Sequence, residues 1–255
     1  MKKLIVTADD YGFTKSINEG IIRAATKGIV TDIAVMVLTD QEDLDHGVSL
    51  LKKHKLTSIG LHTSLFPWGK TNRPQRKDFI KFFRNATDEE IRSKALNEIK
   101  TFEQIFGQPP QFIAPQFNMH GNLRLLKILA EYANERDIPM RIPWAVLTQD
   151  ELEDNNYAAR VYLKRLNVKM TDHLFAHILG SNAALIQEKF LKELKSVKDG
   201  ETTELLLHPG YFDEDILGGS SLNYERSRDI AIALNKDFRK NISELGYTFS
   251  HYQDL

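Results

Sequence analysis

A single-domain α/β fold over residues 1–255, TIM-barrel-like in its (β/α) alternation, is what this sequence predicts. Three observations point there. Apolar β-branched runs alternate with amphipathic helical stretches, no linker of domain-boundary composition separates them, and 255 residues with 42% hydrophobic content suit one α/β barrel. A distorted or seven-stranded barrel meets the same pattern. In a parallel barrel each strand delivers its last residues to one mouth, so polar residues at strand ends become the candidates for chemistry.

Composition narrows the function. A net charge of −1 gives no field for nucleic acid or an anionic membrane surface, which leaves a small or neutral partner. Zero cysteines exclude disulfides and thiolate metal sites, so ligands must come from His, Asp, Glu and amide oxygens. Met1-Lys2-Lys3 precedes only a short apolar run before Asp9, too short for a signal sequence, and no later run is long enough to cross a bilayer. A soluble cytoplasmic protein is expected.

The first strand, Leu4-Ile5-Val6-Thr7-Ala8, runs into Asp9-Asp10-Tyr11-Gly12. Two adjacent carboxylates repel, so the pair either raises one pKa or calls for a cation, and it suits a metal ligand beside a general base. Ser16-x-x-Glu19 reads as a capping box opening a helix with Ile17, Ile21, Ile22 and Ala25 on one face, ending at Gly28. Asp32 to Leu38 is a second strand, Gln41 to Lys53 a helix, and Ser58 to Leu65 a third strand carrying His62. Phe66 to Phe83, with Pro67, Gly69 and Pro74, lacks a period and reads as a long loop acting as a lid.

Thr87-x-x-Glu90 caps a helix with apolar positions Ile91, Ala95, Ile99, Phe102 and Ile105, stopped by Gly107, Pro109 and Pro110. Gln111 to Phe117 is a fourth strand leading to Asn118-Met119-His120-Gly121, and Asn122 caps the next helix. Pro139 to Ala145 is a fifth strand, Glu151 to Leu166 has helical character, and His173 to Leu179 is a sixth strand. A helix follows Asn182, a buried strand from Glu204 ends in His208-Pro209-Gly210, Tyr224 to Leu245 is a final helix and Tyr247 to Tyr252 a final strand. Asp9, Asp10, His62, Gln116, His120, Arg141 and His208 therefore gather at strand ends, a pattern that packing alone does not account for. Arg141 is suited either to binding substrate or to pairing with a barrel acid. Tyr11, Phe66, Trp68 and Tyr211 are placed to stack on a ligand or to pack within loops.

Several motifs together resemble the YdjC-like carbohydrate deacetylase family, which includes the chito-oligosaccharide deacetylases. They are Thr7-Ala8-Asp9-Asp10-Tyr11-Gly12, Gly28-Ile29-Val30-Thr31, Ile59-Gly60-Leu61-His62, Phe106-Gly107, Met140-Arg141, His208-Pro209 and Glu244-Leu245-Gly246-Tyr247. The resemblance spans nearly the whole chain. It implies a barrel-like α/β domain that removes the acetyl group of an N-acetylated amino sugar or oligosaccharide with a divalent metal ion, magnesium or zinc-like. By position Asp9 resembles the catalytic base, Asp10 and His62 metal ligands, and His208 the histidine of the His-Pro motif, a general acid. Tyr11, Trp68 and Arg141 become substrate-binding candidates. The expected partner is a small carbohydrate, with neither nucleic acid nor membrane, and a homodimer is compatible with it.

The sequence departs from the family at one place. Where the family reads Asp-Ser-His-His-His-x-His, this chain has Ala114-Pro115-Gln116-Phe117-Asn118-Met119-His120. Gln116 holds the expected ligand position, and His120 reaches the same ion only if the chain turns helically after Gln116. Three readings follow: a working deacetylase using Gln116 or His120, a hydrolase with another acyl or carbohydrate substrate, and a catalytically weak or inactive sugar-binding protein on the same fold.

Overall fold

The computed structural model describes residues 1–69, 72–143, 156–217 and 220–255. Its strands are β1 (Lys2–Tyr11), β2 (Asp32–Val35), β3 (Ile59–Leu61), β4 (His173–Ala176), β5 (Thr202–Leu207) and β6 (Tyr247–Phe249). All the pairings are parallel, in the order β3-β2-β1-β5-β4, with β6 beside the first half of β1. The arc continues past β3 through single parallel bridges, Leu61 to Ile113 and Ile113 to Met140. Met140 N–H then donates to the Lys169 carbonyl at 2.9 Å, shortly before β4. The five-strand path is thereby extended past β3 toward the segment that precedes β4, a distorted, barrel-like (β/α) arrangement as the alternation predicts.

The fourth and fifth expected strands shrink to those single bridges. Pro109, Pro110, Pro115, Pro139 and Pro143 supply no N–H to a ladder, and they crowd both segments. Trp144 and Ala145, the end of the expected fifth strand, lie outside the described residues.

The helices are α1 (Lys15–Lys27), α2 (Gln41–His54), α3 (Arg76–Asn85), α4 (Asp88–Phe106), α5 (Leu123–Glu135), α6 (Asn156–Arg165), α7 (Ala183–Ser196), α8 (Glu214–Leu217), α9 (Tyr224–Leu234) and α10 (Lys236–Glu244). Three expectations are corrected. Thr14, not Ser16, caps α1, accepting from Ile17 N–H. The second half of the expected lid loop is helix α3, because Phe79 and Phe83, four residues apart, bury one face. The single helix expected from Tyr224 to Leu245 breaks at Asn235, whose side chain accepts from Asp237 and Phe238 N–H and starts α10. The Thr87 capping box and the Asn122 cap form as expected, and Asn182 caps α7, accepting from Leu185 N–H. Residues 151–155 of the expected Glu151 to Leu166 helix lie outside the described set. No helix among the described residues is long and apolar enough to cross a membrane.

Strand parity decides what faces the barrel interior. On β1, Leu4, Val6 and Ala8 join the large core between sheet and helices, while Ile5 packs inside with Ala34, Phe112, Ala114 and Tyr252. Thr7 and Asp9 share the Ile5 face, and on β5 Glu204, Leu206 and His208 share one face. Gly60 is small for a reason: a Cβ there would stand 2.4 Å from the Phe112 ring, which stacks on Tyr252 at 4.5 Å. Gly60→Ala is expected to destabilise the fold by about 1–3 kcal/mol through overpacking, read as a lower denaturant midpoint.

Candidate active site

Consecutive strand residues point to opposite faces, so two adjacent carboxylates reach one mouth only if the strand departs from regularity. It does. Ala8 pairs with Ile33 but Tyr11 with Val35, so β1 holds one extra residue, a bulge spanning Asp9 and Asp10. Asp10 takes φ 70°, the left-handed region that aspartate tolerates better than most residues. The bulge brings both acids to a cavity of about 370 Å³, on whose wall they meet His62, Trp68, Gln116 and His208.

His62 follows β3. Its Nδ1 lies 2.5 Å from the Ala114 carbonyl and so carries the proton, leaving Nε2 3.4 Å from Asp10 Oδ1. Burial would push the His62 pKa down, but Asp9 and Asp10 outweigh it and hold it above the ordinary histidine value. Two guanidiniums, those of Arg141 and Arg226, line the same cavity beside the acids. Arg141 donates from Nη1 to Asp9 Oδ2 at 2.6 Å and from Nη2 to Asp9 Oδ1 at 2.8 Å. The same side chain reaches Glu204 Oε1 from Nε at 2.9 Å and from Nη2 at 2.7 Å, and Glu204 accepts from the Tyr252 hydroxyl. Arg226 on α9 donates to Asp10 Oδ2 at 2.7 Å. Burial alone would raise both aspartates; Arg141 and His62 hold Asp9, and Arg226 and His62 hold Asp10, below the carboxylate range. Arg141 pairs with two barrel acids and also lines the cavity, so its pairing role is made and its place on the wall is kept.

His208 follows β5 and is half-buried, its backbone N–H bound to Asp229 Oδ2 at 2.7 Å. Burial lowers its pKa, and the nearby Asp10 and Asp9 oppose that only in part. Gln116 opens a 3-10 helix, Gln116–Gly121, anchored by Gln116 N–H on the Thr63 carbonyl at 2.9 Å. Its Oε1 is buried without a hydrogen-bond partner.

His120 and Tyr11 stand elsewhere than expected. The chain does turn after Gln116, with Phe117 and Asn118 at positive φ, but the turn carries His120 away from the cavity wall. Its Nε2 lies 3.0 Å from the Arg141 carbonyl, and burial holds it neutral, with a pKa lowered to about 3. Tyr11, past the bulge, is fully buried and donates its hydroxyl to the Gly47 carbonyl at 2.7 Å, so it does not face a ligand. Trp68 does line the cavity, packed edge-on against Phe13. Phe66 packs instead on Phe79 and Phe82, and Tyr211 is partly exposed.

Glu204 and Arg226 were not singled out by the sequence. Glu204 had a signal, a lone carboxylate inside an apolar strand that needs a buried cation, and Arg141 inside Met140-Arg141-Ile142 is its counterpart. Arg226 had none, since its partner is 216 residues away.

Among the described residues no three His, Cys, Asp or Glu side chains come together to hold a metal. The donors that suit an ion are mixed. Asp10 Oδ1 and Gln116 Oε1 are both buried without a hydrogen-bond partner, and His62 Nε2 lies beside the first. Two oxygens and an imidazole nitrogen fit a hard or borderline divalent cation.

The model of the family described as YdjC-like protein matches residues 3–244. The chain is 28% identical over 253 residues to a carbohydrate deacetylase of Brevibacillus brevis, covering 95% of each chain. It is 26% identical over 264 residues to a chitooligosaccharide deacetylase of Proteus mirabilis, covering 99% of this chain and 98% of that one. Its fold superposes on an Enterococcus faecalis protein assigned provisionally to cellobiose-phosphate cleavage, with TM-score 0.79, 20% identity, and coverage of 99% of this chain and 98% of the other. With the match running from the start of β1 to the end of α10, the chain belongs to the YdjC-like family.

Proposed function

We propose that this protein is a metal-dependent carbohydrate deacetylase, hydrolysing the acetamido group of an N-acetylated amino sugar or oligosaccharide. The observation that carries the reading is the convergence of Asp9, Asp10, His62, Gln116 and His208 on one cavity, in a chain whose relatives are carbohydrate deacetylases. Asp10, His62 and Gln116 are the residues that would hold the divalent ion. When bound, such an ion polarises the acetyl carbonyl and lowers the pKa of water at the site.

The other steps belong to the chain. Asp9 accepts the proton of the attacking water; each of its oxygens keeps a lone pair beside its Arg141 bond, and the Arg141–Glu204 pair fixes the carboxylate plane. The water oxygen bonds to the acetyl carbon as the carbonyl π pair moves onto the carbonyl oxygen, and that pair returns as the C–N bond breaks. The proton that Asp9 draws from water is the one the departing amine nitrogen needs: His208 takes it up and passes it to that nitrogen, and a histidine held below its ordinary pKa hands on such a proton readily. Acetate and a free amino sugar leave. Trp68 offers a ring on the wall against which a sugar can pack.

Acetate release from chitooligosaccharides, measured with magnesium, manganese, nickel and zinc in turn, tests the proposal. A second reading, a sugar-binding protein without turnover, draws on the guanidiniums that already neutralise Asp9 and Asp10. Saturable binding of the same sugars with no acetate under any of the four metals would establish it in place of the first. On the first reading, Gln116→His replaces an amide oxygen with imidazole and is expected to raise zinc affinity on the order of tenfold in calorimetric titration. Unaltered affinity would remove residue 116 from the ligand set.

A further inference from the structure

Helix α4 carries one charged residue on its buried face. Ile91, Ala95, Ile99 and Phe102 form the apolar stripe, and Glu98 falls on it, fully buried. A carboxylate there must be answered, and the answer comes from the segment that follows His62. Oε1 accepts from Ser64 N–H at 2.7 Å and from the Ser64 hydroxyl at 2.9 Å, and Oε2 accepts from Leu65 N–H at 2.9 Å. All three donors are neutral. Burial therefore pushes the Glu98 carboxyl up, to about 7.

The segment so held is strained and central. Leu65 sits at φ 60°, which a leucine keeps only where its surroundings enforce it. His62 N–H is pinned to the Val35 carbonyl at 2.8 Å, and the Thr63 carbonyl accepts the Gln116 N–H at 2.9 Å. Both His62 and Gln116 thus hang on residues 62–65. Val35 fixes the upstream end, and Glu98 fixes the downstream end.

We propose that Glu98 is a positioning residue: from α4, outside the cavity, its carboxylate locks the Thr63–Leu65 segment and so sets where the His62 imidazole and Gln116 stand. The contribution to turnover rests on the deacetylase reading, whereas the placement of His62 does not. Glu98→Gln keeps the shape but leaves one acceptor oxygen for three donors, with its amide NH₂ set against an N–H.

The test reads the His62 ring directly. Its Nδ1–H, buried on the Ala114 carbonyl, gives a downfield ring resonance in ¹⁵N NMR of the full chain, assigned by its loss in His62→Gln. In Glu98→Gln this resonance is expected to shift while the remaining spectrum stays that of the folded protein. Together with the shift, kcat for acetate release should fall on the order of 10–100-fold with KM unchanged, the size of effect seen when a ligand's supporting hydrogen bonds are removed. A purely structural glutamate would lower Tm and leave the ring resonance of the folded fraction in place. That result, or an unchanged kcat, overturns the proposal. Should Glu98→Gln not fold, Ser64→Ala removes one of the three bonds; a smaller shift in the ring resonance is expected, and no shift overturns the proposal. Absence of acetate release by the unmodified protein would strike the deacetylase reading alone, and the ring resonance would still decide what Glu98 does.

Discussion

Asp9→Asn is expected to lower kcat for deacetylation by roughly 10²–10⁴-fold, the range contributed by a positioned general base. The substitution is nearly isosteric, and Asp10 and His62 keep their places, so the divalent ion should bind with little change. The side effect is also calculable. Asn supplies one oxygen where Asp9 accepts two guanidinium bonds at 2.6 and 2.8 Å, so its NH₂ confronts a donor of Arg141. A stability loss of about 1–3 kcal/mol follows from that unmade bond. The two effects separate because one is read in kcat at a temperature where the variant is fully folded and the other in Tm. Metal titration completes the test: full activity with intact metal binding would assign proton abstraction elsewhere, and loss of metal binding would make Asp9 part of the ligand set.

Much of this arrangement was legible in the sequence because a barrel converts order along the chain into position around a mouth. Asp9, Asp10, His62 and His208 each follow an apolar run that ends in a turn, and the parallel ladder brings those ends together. Gln116 reached the cavity by the same logic, although its strand is a single bridge. What could not be read was whatever depends on direction within a turn. His120 is four residues beyond Gln116, and two left-handed residues between them decide that it faces the Arg141 carbonyl. Tyr11 likewise was placed by the bulge, since one added residue in β1 reverses which face it takes. Helix α3 was hidden for a different reason. Phe79, Phe82 and Phe83 have helical spacing, but Pro67, Gly69 and Pro74 ahead of them dominate the local pattern. The charges that balance the site were the least visible, because Arg226, Glu204 and Glu98 lie inside apolar stretches or far along the chain and are explained only by their partners.

Arg141→Leu should have the largest effect on stability. Arg141 is the shared cation of two buried carboxylates, Asp9 and Glu204, and its removal leaves both without compensation. Breaking a buried pair from one side costs about 3–5 kcal/mol, and with two acids stranded the upper end applies. For a chain of this length that is roughly 10 °C in Tm. The loss must depend on pH with a definite sign. In the wild type, Asp9 is held below its ordinary pKa, so its contribution is present above the unfolded value of about 3.9 and is lost as pH falls through the depressed folded value. In Arg141→Leu the balance at Asp9 shifts, because burial is no longer opposed by the guanidinium and pushes the folded carboxyl up. Protonation then favours the folded variant, and the gap between wild type and variant should be wide at pH 7 and narrow toward pH 4. Denaturant unfolding across that range measures it. A gap that does not change with pH would mean that the cost is lost packing of the long side chain and not stranded charge. The decisive companion is Asp9→Asn, Glu204→Gln, Arg141→Leu, which removes all three charges together. If stranded charge is the cause, this triple variant is more stable at pH 7 than Arg141→Leu alone, despite carrying two further substitutions.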